Sequence, residues 1–93
     1  MNLVEALQFW AELEPVEYLE GRELSAIEYA VREAIEARTL DWRVWHRYGL
    51  DYGEVSFLDR EALLNQWSKA SSSSAAHALL LAYIAYLETL VNL

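Results

Sequence analysis

Cations and aromatic side chains are concentrated in residues 38–53, which read RTLDWRVWHRYGLDYG. Residues 38–48 contain three arginines against one aspartate, a net charge of +2, and His46 lies among them. Residues 1–37 contain nine glutamates and two arginines, a net charge of −7. Tryptophan, tyrosine and arginine dominate the energetics of protein interfaces. The stretch therefore predicts a partner-binding patch, made of Trp42, Arg43, His46 and Arg47.

The large aromatics of this stretch have two possible roles. Large aromatic side chains are mostly buried in small proteins. We therefore expect Trp45 and Tyr48 to anchor the core, while Arg43 and Arg47 pair with glutamates. A nucleic-acid interpretation would use the rings for base stacking and the arginines for phosphates. Two or three cations do not offset a net charge of −8, so we predict no direct nucleic-acid binding.

Catalytic chemistry has little support in the residue types and spacings. The only histidines are His46 and His77. His77 and Glu88 would lie about 16 Å apart along one helix, too far to share a metal ion. The chain has no glycine-rich phosphate loop and no nucleophile elbow. A helical nuclease built on Arg43 and His46 is a weak third hypothesis, because the pair is too closely spaced. We predict a non-enzyme without cofactor or metal.

The net charge of −8 and the absence of cysteine set the broad class of the protein. An acidic chain is repelled by nucleic acids and by anionic membranes, and it suits a basic partner. A chain without cysteine has no disulfide scaffold and fits a reducing compartment, so we predict a cytoplasmic protein. The N-terminus lacks the basic region of a secretory signal.

Scarce glycine and proline predict helices joined by short turns. Asn2 and Glu5 form a capping box for a helix over residues 3–13. Ser25 and Glu28 predict a second helix from about residue 23 or 25 to residue 37. Its inner stripe would be Leu24, Ile27, Val31, Ala34 and Ile35. Asp41 would cap a short third helix that ends at Gly49 in a left-handed conformation. Ser56 would cap a fourth helix over residues 57–68, with Asp59 as its capping-box acid. We predict one all-α domain, residues 1–93, a small bundle of four to five helices with a hydrophobic C-terminal helix at its centre.

The last nineteen residues, 75–93, form the most apolar segment. A membrane anchor is disfavoured because Glu88 lies inside the segment and the uninterrupted apolar run, residues 78–87, is too short. A helix that is apolar all round must be covered all round. Three other short helices would cover only part of it, so we predict a homodimer. Its interface would contain Leu80, Tyr83, Leu87 and Leu90.

These features predict a small acidic, non-catalytic protein–protein interaction module, either an adaptor or a regulatory subunit. We expect it to be a homodimer with a protein partner that carries positive charge. The alternative is an acidic inhibitor or immunity-type protein that blocks a nuclease or a nucleic-acid-binding complex. The glutamates that motivate this alternative are Glu12, Glu14, Glu17, Glu20 and Glu23.

Overall fold

The computed structural model describes residues 1–59 and 61–91, and it contains both helices and a sheet. The elements follow one another as α1 (Leu3–Leu13), α2 (Leu24–Ala37), β1 (Asp41–Arg47), β2 (Leu50–Asp59), β3 (Leu64–Ser72) and α3 (Ala75–Val91). The strands form one antiparallel sheet in the order β1-β2-β3. The prediction of an all-α bundle of four to five helices is therefore wrong, because the segments assigned to its third and fourth helices are strands.

The first helix begins and ends where its sequence predicts. The Asn2 side chain accepts a hydrogen bond from the Glu5 backbone N–H at 2.8 Å, and the Glu5 carboxylate accepts one from the Asn2 N–H at 3.1 Å. This confirms the capping box. The backbone of Pro15 cannot donate to a helical carbonyl, and α1 ends just before it. α1 buries Ala6, Leu7 and Trp10.

The second helix has its predicted bounds and most of its predicted apolar stripe, except that Leu24 is exposed, but it is capped differently. Its N-cap is Glu23, whose side chain makes no capping hydrogen bond, so the predicted Ser25 cap is wrong. The buried residues of α2 are Ile27, Val31 and Ile35, one per turn. This spacing turns a single face of α2 toward α3 and leaves its glutamates on the outer surface.

The first hairpin explains why the third predicted helix is a strand. Arg47 pairs with Leu50, which leaves Tyr48 and Gly49 as a two-residue turn. Both have positive φ, 52° and 78°. Positive φ at both central residues is characteristic of the type I′ turn that joins twisted antiparallel strands. Gly49 therefore supplies the left-handed conformation that the sequence suggests, but for a hairpin rather than for a helix end.

The second hairpin replaces the predicted helix over residues 57–68. Leu58 pairs with Asn65 and Asp59 with Leu64. The carboxylate of Asp59 accepts hydrogen bonds from the Glu61 and Ala62 N–H groups at 3.0 and 3.2 Å. Asp59, predicted to be a capping-box acid, therefore stabilises the turn between β2 and β3.

α3 lies at the centre of the molecule, in contact with α1, α2 and all three strands. Gly53 of β2 lets the helix lie directly on the sheet. A Cβ atom there would be 2.5 Å from the Leu79 backbone nitrogen and 2.6 Å from the Ala78 carbonyl carbon. The core is built around the apolar side chains of this helix, together with Trp10, Ile27, Val31, Ile35 and Val55. None of the helices in the described residues is both long enough and apolar enough to cross a membrane.

A polar network closes the core at the C-terminal ends of α1 and α2. Glu14 Oε1 accepts hydrogen bonds from Trp10 Nε1 at 2.8 Å and from the Tyr83 hydroxyl at 2.7 Å. Arg38 donates from Nη2 to Glu14 Oε2 and from Nε to the Tyr83 hydroxyl oxygen, both at 2.9 Å. Burial raises the pKa of Glu14, but these hydrogen bonds outweigh burial and leave the pKa below its ordinary value. Burial and the hydrogen bond to Glu14 raise the pKa of Tyr83.

Candidate functional site

The sheet has one face covered by helices and one face open to solvent. Successive side chains of a strand point to opposite faces, and the register aligns them across the three strands. Val44, Gly53 and Ala70 form one row on the covered side, against α3. We call the opposite side the open face. Its principal residues are Asp41, Arg43, Trp45, Arg47, Tyr52, Glu54, Asn65, Trp67, Lys69 and Ser71.

A buried carboxylate between two cations lies at the centre of the open face. Arg43, Glu54 and Lys69 are direct neighbours across the three strands. Arg43 Nε donates to Glu54 Oε2, and Lys69 Nζ is 3.8 Å from Glu54 Oε1. The side chain of Glu54 is only 5% exposed, whereas both cations are more than half exposed. The buried charge is therefore paired, and the two cations still present free N–H groups to solvent.

Aromatic rings flank this ion cluster on both sides. Trp45 stacks on Tyr52, with ring centroids 4.2 Å apart and planes within 9° of parallel. The guanidinium of Arg43 lies over the ring of Trp67 at 4.5 Å from its centroid. Trp45 is 39% exposed and Trp67 is 36% exposed. The rings are thus fixed in place by their neighbours while their outer surfaces remain available for contact.

A shallow depression connects the stacked rings to Lys69. Its lining includes Trp45, Tyr52, Glu54, Lys69 and Ser71. The rings of Trp45 and Tyr52 form one wall of the depression, and Lys69 and the small hydroxyl side chain of Ser71 line the remainder. This combination can hold an apolar or aromatic side chain next to a carboxylate.

The charge of the open face differs from that of the remaining chain. Its charged residues are Arg43, Arg47, Lys69, Asp41 and Glu54, a net charge of +1. Because the whole chain has a net charge of −8, the residues outside this face sum to −9. The open face is therefore the part of the surface least repelled by an acidic partner.

The predicted patch is divided between the two sides of β1. Arg43 and Arg47 lie on the open face, where the Arg47 guanidinium covers the ring of Tyr48. Trp42 points to the covered side, where its Nε1 donates to Glu36 Oε1 at 3.1 Å and Arg32 lies over its ring. His46 Nδ1 lies 2.9 Å from Asp51 Oδ1. The four residues alternate along a strand, and so the structure does not bring them together on one surface.

Several residues of the open face are absent from the sequence-based prediction. Trp45 and Tyr48 were expected in the core, but Trp45 is on the open face and Tyr48 is 85% exposed in the turn. Tyr52, Glu54, Trp67 and Lys69 were not assigned to any site. The available signal is the spacing of Arg43, Trp45 and Arg47, which recur at every second residue as side chains on one face of a strand do.

The predicted dimer interface is occupied within the single chain. Leu80, Tyr83 and Leu87 are buried among the chain's own side chains, and of the four residues only Leu90 is substantially exposed. The sheet supplies the covering surface that three short helices could not. A homodimer remains a prediction, but the exposed apolar helix that motivated it is not present in the structure.

Comparisons with protein-family models, with curated proteins and with solved structures identify no match to this chain.

Proposed function

We propose that this protein is a non-catalytic interaction module, an adaptor or regulatory subunit, which binds a partner protein across the open face of its sheet. The observation that carries the proposal is the set of three aromatic rings, held by stacking and cation–π contacts, at a solvent-exposed surface around a paired ion cluster. Rigid aromatic side chains contribute large contact areas at a low cost in conformational entropy. Tryptophan and arginine are also enriched among the residues that dominate binding energy.

The partner that best fits this face carries acidic and aromatic or apolar side chains. Arg43 and Lys69 each have one carboxylate contact, to Glu54, and are exposed for more than half of their side-chain surface. A carboxylate of the partner would therefore gain two charge-assisted hydrogen bonds beside the Trp45–Tyr52 stack. A positively charged partner, as the overall charge suggests, would instead meet the acidic helices.

A protein partner fits the open face better than a nucleic acid does. Single-stranded nucleic acids bind to aromatic platforms inside positively charged grooves. The open face has three cations but also two carboxylates, and one of these lies between Arg43 and Lys69. Nucleic-acid affinity grows with the number of phosphates that protein cations neutralise. Because Glu54 already pairs with Arg43 and Lys69, the open face offers few cations for this purpose.

A random peptide library displayed against the purified protein tests the proposal directly. We expect selected peptides to be rich in acidic and aromatic residues, and to bind with affinities measurable by fluorescence anisotropy. Trp45→Ala and Lys69→Glu should each weaken binding by about tenfold or more, which corresponds to about 1.4 kcal/mol. The matched control is Glu12→Gln with Glu17→Gln, two exposed changes outside the open face, which should leave the affinity unchanged.

Two outcomes would contradict this assignment. Selection of basic peptides that respond to the Glu12→Gln, Glu17→Gln control would place the binding surface on the acidic helices and favour the inhibitor or immunity-type function. Tight binding of a ten-nucleotide uridine oligomer, lost in Trp45→Ala, would identify the open face as a nucleic-acid surface instead.

The inhibitor function has one specific observation in its favour. The net charge of −9 outside the open face is carried largely by glutamates of α1, α2 and the segment that joins them. Such a surface complements the cationic active site of a nuclease. The cytoplasm remains the proposed compartment, because the chain has no cysteine and suits reducing conditions.

A further inference from the structure

The two edge strands of the sheet are protected very differently. Proteins discourage pairing at sheet edges with charged side chains, prolines, bulges or short strands. β1 has seven residues, of which Asp41, Arg43 and Arg47 are charged and His46 pairs with Asp51. β3 has nine residues with Lys69 as their single charge, and it contains no proline. The unprotected edge is therefore that of β3.

The edge of β3 is regular over its whole length, and the side chains of its first half are exposed on both sides of the sheet. All nine residues pair with β2 in one uninterrupted register, from Ser72 opposite Asp51 to Leu64 opposite Asp59, so that no bulge bends the strand away. Leu64 and Gln66, which point to the helix side, are exposed like the open-face residues around them. A second strand can therefore approach the first half of β3 without displacing a helix.

We propose that the β3 edge pairs with the β3 edge of a second copy, in an antiparallel two-fold arrangement that extends the sheet to six strands. Two-fold homodimers are the commonest oligomers, and strand addition satisfies the free backbone groups of both edges at once. The two open faces then lie side by side and form one continuous surface. The pairing runs along the backbone edge of β3 and brings open-face side chains of the two copies next to one another, but it does not depend on the function proposed for that face.

The side chains of β3 select one register for this pairing. In an antiparallel pair, residues directly opposite one another point to the same side of the sheet. In a symmetric dimer, the two-fold axis therefore passes through a position where one residue lies directly opposite the same residue of the second copy. An axis at Lys69 would oppose two like charges, which is destabilising. An axis at Ser68 pairs all nine residues and places Lys69 opposite Trp67 of the second copy, which is a favourable cation–π arrangement. The register centred on Ser68 therefore combines the longest pairing with the best charge placement.

A charge-pair experiment tests the pairing and its register together. In the Ser68 register, Asn65 lies opposite Ser71 of the second copy, and both side chains are exposed in the single chain. The double variant Asn65→Glu, Ser71→Glu places like charges opposite each other twice. The double variant Asn65→Glu, Ser71→Lys at the same two positions places opposite charges there instead. Circular dichroism should show that both variants keep the native fold.

Sedimentation equilibrium from about 1 to 100 µM should show a dimer for the unaltered chain. We expect the glutamate–glutamate variant to dissociate at least about tenfold more readily, and the glutamate–lysine variant to associate at least as tightly as the unaltered chain. A monomer at about 100 µM would overturn the proposal, as would a dimer whose dissociation constant is the same in both variants.

Disulfide cross-linking provides the geometric control, because the chain has no cysteine of its own. In the proposed dimer, Ser68→Cys brings two cysteine Cα atoms to about 5 Å, within the range of a disulfide. Ser71→Cys leaves them about 20 Å apart, since the two positions are offset by six residues along the strands. We expect rapid covalent dimerisation of Ser68→Cys under mild oxidation and none of Ser71→Cys. The reverse pattern would rule out this register.

Discussion

Glu14 receives hydrogen bonds from side chains that belong to three different parts of the fold. Trp10 comes from α1, Arg38 follows α2 and Tyr83 belongs to α3. A carboxylate that is held by three donors, one of them a cation, stays ionised at neutral pH, and it joins the ends of the helices to one another. This polar cluster at the end of the apolar core therefore links α1, α2 and α3 to one another.

Removing the hydroxyl of Tyr83 should destabilise the protein without changing its packing. Tyr83→Phe takes one donor from Glu14 and one acceptor from Arg38 while the ring stays in the core. We expect a loss of about 1–2 kcal/mol in the free energy of unfolding, measured by urea denaturation. Tyr86→Phe is the matched control, because among the described residues its hydroxyl makes no hydrogen bond. Equal losses in the two variants would mean that the network does not stabilise the fold.

The lowered pKa of Glu14 makes its contribution to stability depend on pH in a definite direction. A carboxyl group that is more acidic in the folded state binds its proton more readily after unfolding. Its stabilising effect is therefore complete above its ordinary pKa of 4.5, and it is lost as the pH falls toward the lower value of the folded state. We expect Glu14→Gln to be less stable than the unaltered protein at pH 7, and the gap to narrow below pH 4.5. A gap that stays constant with pH would contradict this role.

At the scale of the elements, the close contact between β2 and α3 is the most sensitive point. Gly53→Ala would place a methyl group inside contact distance of the backbone of Ala78 and Leu79, which cannot rotate away as a side chain can. We expect a loss of about 3 kcal/mol in unfolding free energy. Gly49→Ala, in an open turn with positive φ, should cost only about 1 kcal/mol. Thermal unfolding followed by circular dichroism would separate the two, and a milder effect at Gly53 would mean that α3 can shift.

The sequence predicts the elements whose structure is determined by neighbouring residues, and it misses those that depend on pairing with distant segments of the chain. The cap at Asn2 and the stripe of Ile27, Val31 and Ile35 are short-range patterns, and both are present in the structure. Gly49 gives the same left-handed signal for a helix end and for a type I′ turn, so the sequence alone leaves the two unresolved. β3 is rich in serine, which has little strand preference, and its conformation comes from pairing with β2.

For the candidate site, the residue types were likewise predictable from the sequence, whereas the neighbours across the sheet were not. Arg43 and Arg47 were recognised from their residue types, and both lie on the open face. Trp42 was assigned to the same patch from its residue type and its position next to Arg43 in the sequence, whereas the strand places the two on opposite sides of the sheet. Glu54 and Lys69 join the site only through the register of the sheet, which no local pattern reveals. The composition of the site was therefore partly predictable, but its geometry was not.

At the scale of the whole molecule, acidic side chains outnumber cations by fifteen to seven. Such an excess destabilises the compact state by self-repulsion, and salt screens repulsion between exposed charges. The ion pairs of the described residues are few, and most have at least one well-exposed partner. Repulsion should therefore outweigh attraction in the response of the protein to salt.

We expect the melting temperature to rise by about 5 °C between low salt and about 0.5 M sodium chloride. The double variant Glu12→Gln, Glu17→Gln removes two exposed charges and should melt higher at low salt, with a smaller increase on addition of salt. Differential scanning calorimetry measures both. A melting temperature that falls with salt would show that the ion pairs, rather than the repulsion, dominate.

The central place of α3 also determines the order in which this chain can fold. The other helices and the three strands all pack against α3, which comes after all of them in the sequence. While the chain is being synthesised, we expect α1, α2 and the hairpins to form only transiently, because α3, against which they all pack, has not yet been made. The contacts that complete the core join residues near 7 to residues near 80, and such long loops close slowly. Until α3 has emerged from the ribosome, we therefore expect both faces of the sheet to stay uncovered.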